Sequence, residues 1–265
     1  MKTSSKKTAL AGLLATAAAL LALAAIAGAE QSQKGNLIAS FHGGIAPVKL
    51  PRTEPAPISV QMGGKIKTTD KSTPPKLERI VLEINRLGKI STKGLATCAL
   101  PKLEAVSAAS AKSSCAKALI GHGNVTSRVS LPGQGAFASN GSLLAFNGTY
   151  KGHQAVLAQV ESGPPLPLTY VIVFEVKKKG GTFGTELIGA LPEIASEYGY
   201  ISAFDLSLGA TYDFHGKKMS YASADCPAPQ GFTQAVFPFA KASYEFADGR
   251  TLSSKLVRSC KVRGK

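Results

Sequence analysis

From Val125 to the C-terminus the chain alternates apolar and polar residues in short runs, each ended by residues that favour turns. A period of two places successive side chains on opposite faces of a strand. The pattern predicts strands over Val125–Leu131, Ser142–Tyr150, Ala155–Glu161, Leu168–Val176, Thr182–Ile188, Tyr200–Leu208, Thr211–His215 and Met219–Ser223. Lys151-Gly152 and Gly216-Lys217 read as hairpin breaks. The clearest unit is Ala242–Ala247 with Thr251–Val262, joined by Asp248-Gly249, a signal for a type I′ turn. Leu168–Val176 is apolar on both faces, as expected of a central strand covered on both sides. Hairpins at such short spacing predict a mainly β chain: an antiparallel β-sandwich or jelly-roll-like domain.

The pattern is weaker before Val125. Residues 30–76 are rich in Pro, Gly, Lys and Thr, and six prolines preclude a long helix there. Leu37–Phe41 and Ile58–Lys67 are expected to be extended, with Gly63-Gly64 as a turn or bulge inside the second, so that the segment adds edge strands to the domain. Residues 77–87 fit both a strand and a helical stripe; β-branched content and the flanking Pro and Gly favour the strand. Residues 101–119 are the best helical segment, with Pro101 at its start and Gly121 past its end.

The first 29 residues have another pattern. Lys2, Lys6 and Lys7 precede an uncharged Ala- and Leu-rich run from Ala9 to Ala27, and Ala27-Gly28-Ala29 matches a small-x-small cleavage site. This predicts an export signal cut between Ala29 and Glu30. The run is also long enough for an uncleaved N-terminal anchor, which is the rival. No later segment is long and apolar enough to span a membrane. The expected organisation is therefore a signal at 1–29, a Pro/Gly/Lys-rich segment at 30–76 and a β domain at 77–265.

Export changes how the four cysteines are read. An even number outside the cytosol implies disulfides. The pairing Cys98–Cys115 and Cys226–Cys260 closes two local loops and pins the helix to the chain. Cleavage would remove three lysines and no acid, lowering the net charge from +15 to +12. Such a charge suits anionic partners, here envelope polymer or lipid headgroups, and export disfavours nucleic acid. The candidate basic surface is Lys177, Lys178 and Lys179 with Lys217 and Lys218, both groups placed at hairpin tips.

Candidate chemistry is sparse. No G-x-S-x-G, H-E-x-x-H or P-loop occurs, and the histidines His42, His122, His153 and His215 stand apart from the cysteines. No catalytic, cofactor-binding or metal site is expected. Glu175, Glu186, Asp205 and Asp213 are the acids that a glycosidase-like pair would draw on. No Trp offers a sugar platform; Tyr198, Tyr200, Tyr212 and Tyr221 are the aromatics left for one. Phe232, Phe237 and Phe239 are expected in the core near the second disulfide.

Leu131-Pro132-Gly133-Gln134, Leu144-Ala145-Phe146-Asn147-Gly148, Gly181-Thr182-Phe183-Gly184-Thr185, Cys226-Pro227-Ala228-Pro229, Phe237-Pro238-Phe239-Ala240 and Phe246-Ala247-Asp248-Gly249-Arg250-Thr251-Leu252 occur together. In these stretches the chain resembles uncharacterised secreted proteins of high-GC soil actinobacteria. The resemblance implies an exported, Cys-containing β domain and brings no activity or site residues. The leading expectation is an exported, non-enzymatic β protein that binds anionic envelope components. Its alternatives are an extracellular polymer hydrolase with a carboxylate pair and a carrier of a small lipid in an apolar cavity.

Overall fold

Strands that alternate along their whole length each carry one apolar face, and the fold is set by how those faces are hidden. The structure, a computed structural model, describes residues 30–164, 167–193 and 199–264. The proposed signal, including Ala29, lies outside these residues. Glu30 opens the first strand.

In chain order the strands are β1 (Glu30–Lys34), β2 (Leu37–Ala46), β3 (Lys49–Leu50), β4 (Ala56–Pro57), β5 (Ser59–Thr68), β6 (Leu77–Asn85) and β7 (Lys89–Ile90). The helix α1 (Ala108–Ser114) follows. Then come β8 (Leu119–Val129), β9 (Phe137–Tyr150), β10 (His153–Ser162), β11 (Thr169–Lys178), β12 (Phe183–Ala190) and β13 (Gly199–Leu208). The last are β14 (Thr211–Phe214), β15 (Lys217–Ser220), β16 (Ala222–Ala224), β17 (Gln234–Phe246) and β18 (Thr251–Val262).

Thirteen strands form one sheet, ordered β1-β2-β5-β13-β8-β9-β10-β11-β12-β6-β17-β18-β3. All its pairings are antiparallel except β18 with β3. The sheet curls until β18 lies against β1 and β2. At this seam Ser254 Oγ meets Ser32 Oγ at 3.5 Å, and Arg258 donates from Nε to the Gly43 carbonyl. The mainly β, antiparallel domain expected from the sequence is thus observed, its walls belonging to one continuous sheet. Segment 30–76 supplies β1 at one edge, but β5 sits inside, between β2 and β13.

Two bulges keep the apolar residues on the inner face. In β13 the register with β8 shifts between Ile201 and Ala203, so inward positions pass from Ile201 to Phe204, Leu206 and Leu208. In β17 a shift between Pro238 and Ala240 moves them from Phe237 and Phe239 to Ala240, Ala242 and Tyr244. A small sheet, β4-β16-β7, packs across this core through Ala56, Ala222 and Ala224. The outer face is also apolar at Leu144, Phe146, Ala155 and Leu157, and there Leu103, Ala111 and Ala118 cover it. This explains the two-faced hydrophobicity of β11, whose Val171 and Val173 join the outer cluster while Ile172 joins an inner one.

The helix is shorter than residues 101–119. Pro101 lies in a 3₁₀ turn, Leu100–Lys102, and Ala105 has a φ of 52°, which interrupts any helix. Ser107 then caps α1 by accepting from the Ser110 amide, and a second 3₁₀ turn, Ala116–Ala118, leads into β8. Gln159 fixes the interruption by donating from Nε2 to the Leu103 and Val106 carbonyls, and Glu161 Oε2 accepts from the Ala108 amide. Gly121 lies within β8 rather than past a helix end.

The hairpin turns also differ in detail. Asp248-Gly249 is not type I′, because only Gly249 has a positive φ. The Gly249 amide donates to Phe246 and the Asp248 carboxylate accepts from the Arg250 amide, a type I turn followed by a left-handed glycine. Two-residue turns with both φ values positive occur instead at Lys151-Gly152 and at His215-Gly216, one residue before the predicted position. Gly63 and Gly64 make neither turn nor bulge; β5 runs through them in register with both neighbours. Phe237 and Phe239 are buried as expected, but Phe232 is 65% exposed. It lies in the loop before β17, where the Arg52 guanidinium holds the Pro229 and Phe232 carbonyls.

Both disulfides form as paired above, with Cα separations of 5.5 Å for Cys98–Cys115 and 5.7 Å for Cys226–Cys260. The first closes the cover over the outer patch; the second ties the segment after β16 to β18. Among the described residues no helix is long and apolar enough to cross a membrane. Together these features are compatible with an extracellular protein. Replacing Cys226 and Cys260 by Ser should lower the unfolding free energy by nearly 4 kcal/mol, against about 3 for Cys98 and Cys115, by loop-closure entropy. Urea titration of the two double variants measures the difference.

Candidate functional site

Two concave regions follow from this architecture, one apolar and inside the curl, the other polar and at its seam. The inner one is a cavity of about 130 Å³. Nearly every strand of the wall contributes to it: Val60 and Met62 from β5, Leu82 and Ile84 from β6, Val156, Ala158 and Val160 from β10. Phe174 from β11, Phe204 and Leu206 from β13 and Phe239 from β17 add bulk. The surface turned into it is almost wholly aliphatic or aromatic. Asn85, Lys89, Ser223 and Asp225 also border it but turn almost no polar surface inward, and β7 pairs with β16 so that Lys89 lies opposite Ser223. Asn85 is occupied, donating to the Pro238 carbonyl and accepting from the Leu87 amide. Asp225 Oδ1 is buried without a hydrogen-bond partner.

The second region is an open cleft of about 770 Å³ at the seam between β2 and β18. His42, Gln61, His122, Asn124, Asp205, Ser207, Arg258 and Ser259 line it. The ladders place His42 opposite Gly63, Gly63 opposite Asp205 and Asp205 opposite Asn124, in one row across four strands. His42 and Asp205 are two strands apart and meet over Gly63, Nε2 to Oδ1 at 2.8 Å. A Cβ on Gly63 would overlap both side chains, so glycine is what lets them touch. Burial lowers the affinity of the Arg258 guanidinium for its proton, against a smaller opposing effect of Glu30.

These placements revise the search for paired acids. Among the described residues Asp205 is the one acid lining the cleft, and its neighbour is a histidine rather than a carboxylate. Glu175 and Glu186 lie on β11 and β12 beside lysines, and Asp213 lies on the separate β14–β15 hairpin. Of the four acids only Asp205 lines the cleft, and none lines the inner cavity. The sequence sets His42 and His122 apart from the cysteines and does not relate them to one another. They converge because β2 and β8 flank β5 and β13, an order that alternation does not encode. Tyr221 is buried in the core, Tyr212 donates to the Lys93 carbonyl, and Tyr198 lies outside the described residues.

The basic candidates separate as well. Lys177 sits 3.8 Å from Glu175, and Lys179 bonds both Glu83 and Glu186. Lys178 ends β11 beside them. Lys217 and Lys218 begin β15 on the small hairpin. The first group is therefore a mixed-charge network centred on Glu83, whose side chain is 7% exposed and also meets Lys241 at 3.0 Å. Burial pushes the Glu83 carboxyl up, but the two ammonium groups outweigh it and hold it below the usual glutamate range. No group of three or more His, Cys, Asp or Glu among the described residues is placed to hold a metal ion.

A folded-state pKa below the unfolded value adds stability that is present above the unfolded value and lost as pH falls through the folded one. Glu83→Gln should therefore cost about 1–3 kcal/mol at neutral pH and flatten the loss of stability on acidification. Urea midpoints from pH 7 down to 3 check both. For the cleft, a double-mutant cycle on His42 and Asp205 should give a coupling of about 0.2–1 kcal/mol. In a Gly63→Ala background that coupling should vanish, because the added methyl separates the pair.

No family model, curated protein or solved structure matches this chain.

Proposed function

We propose that the protein is an exported, non-enzymatic carrier of a small apolar molecule, which it holds inside the curled sheet. The observation that carries this reading is the cavity with aliphatic and aromatic walls at the centre of the fold. A void of about 130 Å³ costs about 3 kcal/mol if left empty, at roughly 24 cal/mol per Å³. Larger residues at Ala158, Ala222 or Ala240 would have removed that cost, yet these lining positions are alanine. A cavity of this size admits a benzene-sized group or a short alkyl segment, as an engineered apolar cavity of about 150 Å³ does. The cargo class is therefore one short aliphatic or aromatic moiety, and a two-chain phospholipid is too large.

The three-part N-terminus and the two disulfides support export. The charge of +12 that would remain after cleavage suits residence beside anionic envelope polymers or lipid headgroups, which sets the place and not the cargo.

Saturation with benzene or hexan-1-ol at about a hundred times its Kd should raise the unfolding free energy by about 2.7 kcal/mol. Ala158→Phe, which fills the cavity from β10, should abolish that gain while remaining folded. Thermal unfolding of both proteins with and without ligand tests the reading. An unchanged Tm of the natural protein in every ligand would sink it.

A further inference from the structure

Among the described residues the large apolar side chains left exposed are Val48, Phe232 and Val236, at 49%, 65% and 62%. Apolar side chains scattered singly over a surface are ordinary. These three are gathered at one corner of the sheet. The Lys261 amide donates to the Val48 carbonyl and the Val262 amide to the Thr233 carbonyl, so the end of β18 holds both segments beside it. Gln234 pairs with Lys261 and Val236 with Ser259, which puts Val236 and Lys261 on the same outer face. The loop that carries Phe232 is fastened in place. The Arg52 guanidinium donates to the Ala228, Pro229 and Phe232 carbonyls, and Cys226 is tied to Cys260.

The same corner is cationic. Lys49 pairs with Lys261 where β3 meets β18, and the Arg263 amide donates to the Leu50 carbonyl. Lys49, Lys261 and Arg263 are exposed, and none of them forms an ion pair among the described residues. Across segments 47–54, 226–236 and 258–264 the one acid is Glu54. Lys177 and Lys179 differ in this respect, because Glu175, Glu83 and Glu186 engage them.

We propose that this corner docks on an anionic lipid bilayer, with Phe232, Val236 and Val48 entering the boundary between headgroups and acyl chains and Lys49, Lys261 and Arg263 meeting the headgroups. The inference goes beyond the carrier reading and does not rest on the cavity. The pairing of apolar and cationic groups selects the partner. A polyanionic polymer would engage the cations and leave the Phe232 ring in water. A second copy of the chain would cover the ring but bring like charges together. A bilayer takes both: its anionic headgroups attract lysine and arginine, and the layer beneath them accepts apolar side chains. The long stems of Lys49 and Lys261 let the ammonium groups stay at headgroup level while the ring sinks below.

The chain contains no tryptophan, so Phe232→Trp places a single reporter at the corner. On vesicles of phosphatidylcholine mixed with phosphatidylglycerol its emission should shift to the blue. Phosphatidylcholine vesicles alone and the soluble polyanion dextran sulfate should leave it unshifted. In co-sedimentation with the mixed vesicles, Phe232→Ser should weaken binding about tenfold, as loss of a partly buried aromatic side chain predicts, and should not alter binding to dextran sulfate. Only the carbonyl of residue 232 is held by Arg52, so both variants keep the loop. Lys49→Gln with Lys261→Gln should weaken vesicle binding about 25-fold, about fivefold for each charge. Lys217→Gln with Lys218→Gln, on the separate β14–β15 hairpin, should leave it nearly unchanged. Unshifted emission on vesicles that the protein has bound, Phe232→Ser binding as tightly as the natural protein, or no binding to the mixed vesicles would each overturn the proposal. Binding to dextran sulfate alone would assign the corner to a polymer, and a dimer that Phe232→Ser dissociates would assign it to a second copy; either also overturns it. None of these outcomes bears on the benzene and hexan-1-ol measurements that test the carrier reading.

Discussion

The inner face of one long sheet has to be hidden, and almost nothing but the sheet itself is available to hide it. Among the described residues α1 is seven residues long and lies on the outside. With no layer of helices to cover the apolar side, the sheet closes on itself until β18 reaches β1 and β2. Strand twist supplies the curvature. The bulges in β13 and β17 supply phase, returning apolar residues to the inside where uninterrupted alternation would have turned them out. The inner cluster therefore joins residues as distant in the chain as Leu37 and Leu256.

Curling a sheet this long has a geometric consequence. About eight strands make a barrel whose side chains just fill the interior, and wider ones leave room for ligand or water. Here eleven strands run from β2 to β18. Large inward residues such as Phe41, Phe204, Phe239 and Tyr244 take up much of the added space, and the β4-β16-β7 sheet brings Ala222 and Tyr221 against it. What remains is the central void. The disulfide Cys226–Cys260 acts at this point, fastening the chain just beyond Asp225 to β18. The segment that follows β16 is thus tied covalently to the wall.

The strand content was legible because a period of two is a local property. Thr251–Val262 forms β18 with the expected boundaries, and the pairing of the cysteines followed from loop closure. Long-range order was not legible. Nothing in the alternation of Leu37–Ala46 says that β2 will lie two strands from β13, so the meeting of His42 with Asp205 had no local signal except the glycines between them. Gly63-Gly64 looked like a turn because glycine permits one; its actual role is absence of bulk, under the His42–Asp205 contact and against the Phe204 ring. The overlong helix failed similarly. Composition over 101–119 favours helix, but Gln159, some fifty residues later, captures the carbonyls that a continuous helix would have used itself. Where tertiary partners compete for backbone groups, local propensity loses.

The choice between the two concave regions turns on what each leaves unresolved. In the cleft, His42 and Asp205 complete one another, Arg258 is engaged by the Gly43 carbonyl, and solvent reaches the rest, so the chain is not worse off for its being empty. Water satisfies polar side chains that it can reach. In the inner cavity the opposite holds. Its walls lose dispersion contacts wherever they face a void, and water gains too few partners there to compensate. The entry of an apolar molecule would restore those contacts. A binding site is favoured physically by the free energy that the empty protein forgoes, and that measure supports the proposed carrier reading of the curl's interior.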